Sequence, residues 1–202
     1  MKGKWKEIPS AVHNGQEYKP GDCVLINPDK ADAPAYIGRI RKIRQKLGNP
    51  LDVELDVTWF YRPEEAVGGR KVFHGESELF ESSHQDKSPL GAILDRCFVH
   101  TMEKYEALKE RRENDFFSRL TYKPQTNQFE PDEVPVYCIC ELPHNPDNPM
   151  VMCESCEEWY HPHCLGLGHE VLEHEKFTCP RCDPVASHQA KKQRLSAPGS
   201  PL

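Results

Sequence analysis

Between Asp22 and His100 short apolar or alternating runs recur at residues 22–27, 35–43, 52–61, 71–74, 78–81 and 92–100, divided by signals such as Gly48-Asn49-Pro50 and Gly68-Gly69. Runs this short, bounded by Gly, Pro, Asn and Asp, predict strands rather than helices. Residues 101–113, rich in Glu, Lys, Leu and Ala, predict one helix, and residues 114–120 and 121–130 predict closing strands around Pro124-Gln125-Thr126-Asn127. The fold class expected is therefore mainly β, with a first domain at 18–131. Residues 1–17 are polar and without period, which predicts a flexible arm, and the Ala-, Ser-, Pro- and Lys-rich segment 185–202 predicts a disordered basic tail.

A chain of 202 residues has room for one moderate domain and a small second one. No run approaches the roughly 18 apolar residues of a membrane span, and no apolar leader follows Met1, so a soluble, non-secreted protein without a membrane partner is expected. Charge divides the chain more sharply than its total of -6 suggests: residues 1–131 carry 21 basic and 21 acidic groups, residues 132–184 carry 2 and 11, and the tail carries 3 and 0. A module so rich in carboxylates repels a phosphate backbone and attracts a cationic peptide, which argues against direct nucleic-acid binding by it. In the tail, Lys191-Lys192-Gln193-Arg194 is a short candidate import patch.

That acidic segment also holds the chain's densest chemistry. Cys138, Cys140, Cys153, Cys156, His161, Cys164, Cys179 and Cys182 supply eight soft or borderline ligands within about 45 residues, enough for two tetrahedral zinc ions. With all four positions of each ion filled by protein, no site remains for an activated water, so the two zinc ions are expected to be structural. Seven of the nine cysteines are thereby accounted for, which suits a reducing compartment. Cys23 and Cys97 lie in apolar strand-like runs and read as buried thiols.

The order C-x-C-x12-C-x2-C-x4-H-x2-C-x14-C-x2-C, with Trp159 two residues before His161, resembles a PHD finger over residues 132–184. The resemblance implies a cross-brace, with Cys138, Cys140, His161 and Cys164 on one ion and Cys153, Cys156, Cys179 and Cys182 on the other, leaving His163 uncoordinated. It also implies a pocket for trimethylated lysine 4 of histone H3, walled by Tyr137, Met150 and Trp159, with Asp147 and Glu154 available to the arginine at histone position 2. His144 stands where relatives carry Tyr, which would make one wall sensitive to pH. RING fingers usually place the His one position earlier, but a RING variant shares this ligand order, so a ubiquitin ligase is the alternative from the enzyme class.

Val57-Thr58-Trp59-Phe60-Tyr61-Arg62-Pro63-Glu64-Glu65, supported by Lys19-Pro20-Gly21-Asp22, Phe73-His74-Gly75 and Cys97-Phe98-Val99-His100, resembles a BAH domain. In a strand, Trp59 and Tyr61 project from one face and Phe60 from the other. The whole arrangement is similar to short plant BAH-PHD readers of the Early Bolting in Short Days and Short Life type. That resemblance implies a cage for trimethylated lysine 27 of histone H3 built from Tyr36, Trp59 and Tyr61, with His84 and Asp86 as further peptide contacts. The function expected is a non-catalytic nuclear chromatin reader and transcriptional regulator, partnered by the methylated histone H3 tail and chromatin-modifying complexes. A scaffold whose aromatics are all buried is the remaining alternative. Arg194-Leu195-Ser196-Ala197-Pro198 imitates the histone segment around lysine 27 and is a candidate to occupy the groove in cis.

Overall fold

The computed structural model describes residues 4–28, 30, 32–173 and 176–183, so the tail readings lie outside the described residues. The chain divides into two compact units, one ending at Glu133 and the other beginning at Val134.

In the first unit the strands are β1 (Trp5–Ile8), β2 (Ala11–His13), β3 (Gln16–Tyr18), β4 (Cys23–Ile26), β5 (Tyr36–Lys46), β6 (Asn49–Tyr61), β7 (Glu78–Pro89), β8 (Ile93–His100), β9 (Asp115–Lys123) and β10 (Gln128–Glu130), with one short helix, α1 (Met102–Glu106), before β9. Hydrogen-bonded neighbours run β4, β5, β6, β7, β9, β8 and back to β4, so six strands close on themselves and are fully paired at their seam. β9 lies parallel to both β7 and β8, and the remaining contacts in the ring are antiparallel.

Strand alternation gives this sheet two buried faces. Val24, Ile26, Ile40, Ile43, Leu55 and Val57 form one cluster, and Cys23, Ile37, Phe60, Leu79 and Cys97 form the other. The two thiols stand opposite each other in the β4–β8 register and are buried, and desolvation raises the pKa of both. A buried ion pair also anchors β7 to β9: Glu78, with no exposed surface, accepts from Arg119 Nε at 2.7 Å and Nη2 at 3.0 Å.

The structure corrects several expectations. Within residues 1–17, read as a flexible arm, lie β1, β2 and the start of β3; β1 pairs with the C-terminal half of β5 from Trp5↔Lys46 to Ile8↔Ile43. Residues 71–74 form a turn, closed by His74 N donating to Lys71 O at 3.0 Å. The helix expected over 101–113 stops at Glu106, because Lys109–Glu113 offer no apolar position to bury. Arg111 and Arg112 instead lie over the rings of Tyr105 and Phe98, at 4.4 and 5.4 Å from the centroids.

The second unit has two ribbons, β11 (Val136–Tyr137) with β12 (Leu142–Pro143), and β13 (Val151–Met152) with β14 (Trp159–Tyr160). Its core is small: Val151, Cys153, Tyr160, Val171, Phe177 and Cys179. A core of this size leaves much of the folding free energy to be supplied by metal.

Candidate functional site

On the first unit, Trp59 is placed by β6 opposite Gly38 of β5. A Cβ at Gly38 would lie 3.4 Å from Trp59 Cε3 and Cζ3 and from Val57 Cβ, so the indole lies across bare backbone. Tyr36, two residues earlier on the same face, meets Trp59 edge-on with centroids 5.9 Å apart at 69°. Phe60 faces the other way, into the second cluster, with Arg39 5.0 Å above its ring and in an ion pair with Glu81 at 2.7 Å.

The β6–β7 register passes from Thr58↔Gln85 to Phe60↔Glu81, so Trp59 faces three residues, Ser82, Ser83 and His84, in place of one. Such a bulge re-aims the side chains it carries. Ser82 Oγ pins it by donating to Trp59 O at 2.6 Å and accepting from His84 N at 3.1 Å. His84 Nδ1 then lies 2.7 Å from the Tyr61 hydroxyl, and Tyr61 also packs edge-on against Tyr122 at 5.4 Å. Burial, then the nearby Glu65 and Tyr122, raise the Tyr61 phenol pKa, so it is neutral. Asp86 is exposed opposite Val57, on the Trp59 face, and its Oδ1 accepts from Lys87 N.

The five sequence-predicted residues thus fall into a Tyr36–Trp59 pair, a Tyr61–His84 pair and Asp86. Sequence reasoning missed Gly38, Ser82 and Tyr122, all of which come from neighbouring strands. On the opposite face of these strands Lys42 pairs with Glu7, Arg44 with Asp56, Lys46 with Asp52 and Lys87 with Glu54.

In the second unit the eight ligands gather into two groups, Cys138, Cys140, His161 and Cys164, and Cys153, Cys156, Cys179 and Cys182, with the ligand atoms of each group within 4.8 Å of one another. The first and third pairs share one group and the second and fourth share the other. His161 turns Nδ1 toward Cys140 Sγ at 3.4 Å and Cys164 Sγ at 3.9 Å. Burial, then His163 and His144, lower the His161 pKa, which keeps its imidazole neutral as a ligand must be. Burial raises the Cys153 thiol pKa, but the backbone N–H groups of Cys179, Cys156 and Ser155 outweigh it and bring it down to about 6. Four such donors around one point suit zinc, and eight hold two structural zinc ions. His163 is exposed and outside both groups.

Beside the metal groups, Asn145 is buried and closes the loop that carries His144 and Asp147, accepting from Asp147 N at its Oδ1 at 2.9 Å. Tyr137, His144 and Met150 are half-buried, while Asp147 and Glu154 are exposed. Trp159 is 42% exposed on the outer face of β14. Its cross-strand partner is Met152, which sequence reasoning missed although period-two alternation from Met150 points to it.

Two family models match the chain, a BAH domain at residues 16–133 and a PHD-finger at residues 138–182. It is 40% identical over 199 residues to "Chromatin remodeling protein EBS" of Arabidopsis thaliana, covering 97% of this chain and 83% of that protein. Against "Chromatin remodeling protein SHL" of the same plant it is 39% identical over 173 residues, covering 85% and 75%. The yeast Rsc2 BAH domain superposes with a TM-score of 0.51 at 16% identity, over 62% of this chain and 54% of that one, a likeness of fold alone. With both domains matched in order and two relatives aligned along most of its length, the chain belongs to the BAH-PHD family that EBS and SHL represent.

Proposed function

We propose that the protein is a non-catalytic chromatin reader that acts in the nucleus in transcriptional regulation. Its first unit takes trimethylated lysine 27 of histone H3 between Tyr36, Trp59 and Tyr61, with His84 and Asp86 on the flanking peptide. Its second takes trimethylated lysine 4 at Tyr137, His144, Met150 and Trp159, with Asp147 and Glu154 on the neighbouring arginine. The observation that carries the reading is the indole of Trp59 lying over Gly38 with Tyr36 at its edge. Two π-faces meeting at an angle hold a quaternary ammonium, and each such contact contributes about 0.5–2 kcal/mol.

Further support comes from Trp159, exposed where a core residue would be covered, and from relatives named as chromatin remodeling proteins. The test is titration of the whole chain with histone H3 peptides unmodified or trimethylated at lysine 4 or lysine 27. Preferential binding of both trimethylated forms is expected, Trp59→Ala removing only the second preference and Trp159→Ala only the first. Equal binding of modified and unmodified peptides overturns the proposal.

A further inference from the structure

Ser82 stands where three strands meet. It is buried, its register partner on β9 is Tyr122, and its hydroxyl donates to Trp59 O on β6 at 2.6 Å while accepting from His84 N at 3.1 Å. A bulge disrupts the hydrogen-bond ladder locally. Here one hydroxyl spans the disruption, a task for a side-chain atom that donates and accepts at once. The register of residues 54–58, continued along both strands, would set His84 opposite Trp59 and Ser82 opposite Tyr61. The bulge sets Tyr61 opposite Phe80 instead, with His84 Nδ1 2.7 Å from the Tyr61 hydroxyl.

We infer that Ser82 is a positioning residue for the proposed lysine 27 site, locking the bulge so that His84 holds the ring of Tyr61 in place beside Trp59. This rests on the reading of the first unit as a reader of that mark. The two halves of the site are fixed by different means. The Trp59 indole lies across the backbone of Gly38 with Tyr36 at its edge, whereas Tyr61 meets Tyr122 edge-on and is tethered at its hydroxyl to a residue of the bulge itself. Ser82 joins these halves, because the same oxygen is bonded to the backbone of Trp59 and to the backbone of His84. Without that oxygen a carbonyl and an amide lose their shared partner, and the strand pair relaxes to satisfy them elsewhere. His84 then leaves the Tyr61 hydroxyl, and the ring has to be ordered again each time a ligand binds, which lowers affinity.

The experiment is a fluorescence-anisotropy titration of the whole chain with a histone H3 peptide centred on lysine 27, trimethylated or unmodified, for the wild type, Ser82→Ala, Tyr61→Phe and the double variant. Ser82→Ala is expected to weaken the trimethylated peptide about fivefold and the unmodified one less than about twofold. Tyr61→Phe keeps the ring and cuts its tether, with a similar loss expected. Because both changes break one linkage, the double variant should also lose about fivefold, where independent changes would multiply to about twenty-fivefold. Ser82→Cys fills the same space with a weak donor and acceptor, so it should match Ser82→Ala and separates the hydrogen bonds from the volume. Urea unfolding of each variant shows that the first unit is folded under the titration conditions. A wild-type ratio of trimethylated to unmodified affinity in Ser82→Ala or Ser82→Cys, or losses that multiply in the double variant, overturn the role of Ser82 and leave the lysine 27 reading standing. A wild-type chain indifferent to methylation of lysine 27 overturns that reading and this inference with it.

Discussion

Gly38→Val is the sharpest test of the proposed lysine 27 site, because it changes the floor of the site and substitutes none of the aromatic residues. A Cβ alone would already touch two indole carbons and Val57 Cβ at 3.4 Å. The two further methyl groups of Val extend about a bond length beyond it, into space the ring occupies. The backbone at Gly38 is not in the left-handed region, so the cost is one of packing. Overpacking costs about 1–3 kcal/mol when a ring cannot move, and the half-buried Trp59 relieves it by swinging outward. The swing forfeits the edge contact with Tyr36, worth about 0.5–1.5 kcal/mol, and removes one wall from a bound ammonium. Loss of one cation–π contact of about 0.5–2 kcal/mol weakens binding about twofold to thirtyfold. Calorimetric titration with the lysine 27 trimethylated peptide reads this directly, and the lysine 4 peptide on the same sample is an internal control that should not change. Gly38→Ala, which only reaches contact, should lose less than about twofold. If Gly38→Val keeps the wild-type ratio of trimethylated to unmodified affinity, the indole over Gly38 is not a wall of the site and the reasoning fails.

Arg119→Met removes the partner of the fully buried Glu78 and is expected to destabilise the first unit by about 3–5 kcal/mol, with Glu78→Gln in the same chain recovering part of the loss, as read by urea denaturation. Burial, then the charges of Arg119, Arg70 and Lys71, hold the His74 pKa down to about 4 from its ordinary 6.5. A proton that binds the unfolded chain more readily costs stability as pH falls, so the first unit should weaken progressively between about pH 6.5 and 4. His74→Gln should flatten that slope, and parallel unfolding curves for both proteins would refute the assignment. Chelation of zinc should unfold residues 138–182 and abolish lysine 4 binding while the β-sheet circular dichroism of the first unit and lysine 27 binding persist. Loss of both activities together would refute this prediction.

The eight metal ligands were legible because each is a rare residue type at short, fixed spacing, although spacing alone left their grouping open. The alternation of Trp59, Phe60 and Tyr61 was legible for a similar local reason: side-chain direction in a strand depends on parity alone. β1 was not, because Trp5-Lys6-Glu7-Ile8 has no apolar period and is a strand only through its partners at Ile43–Lys46. The C-terminal half of β7 was hidden likewise, since Ser82–Lys87 is polar throughout and is held by its pairing with β6. Gly38, Ser82 and Tyr122 shape the aromatic face from other strands, and a register with a bulge has to be known before they can be placed.

The interleaved grouping of the zinc ligands has a consequence for how the second unit fails. Three loops separate the four ligand pairs, and with both ions bound each loop is spanned by at least one of them. Had the pairs been shared in chain order, the middle loop between Cys156 and His161 would be bridged by neither ion. As built, a protease that nicks any one of the three releases no fragment, and the severed halves stay stitched until the metal itself is withdrawn.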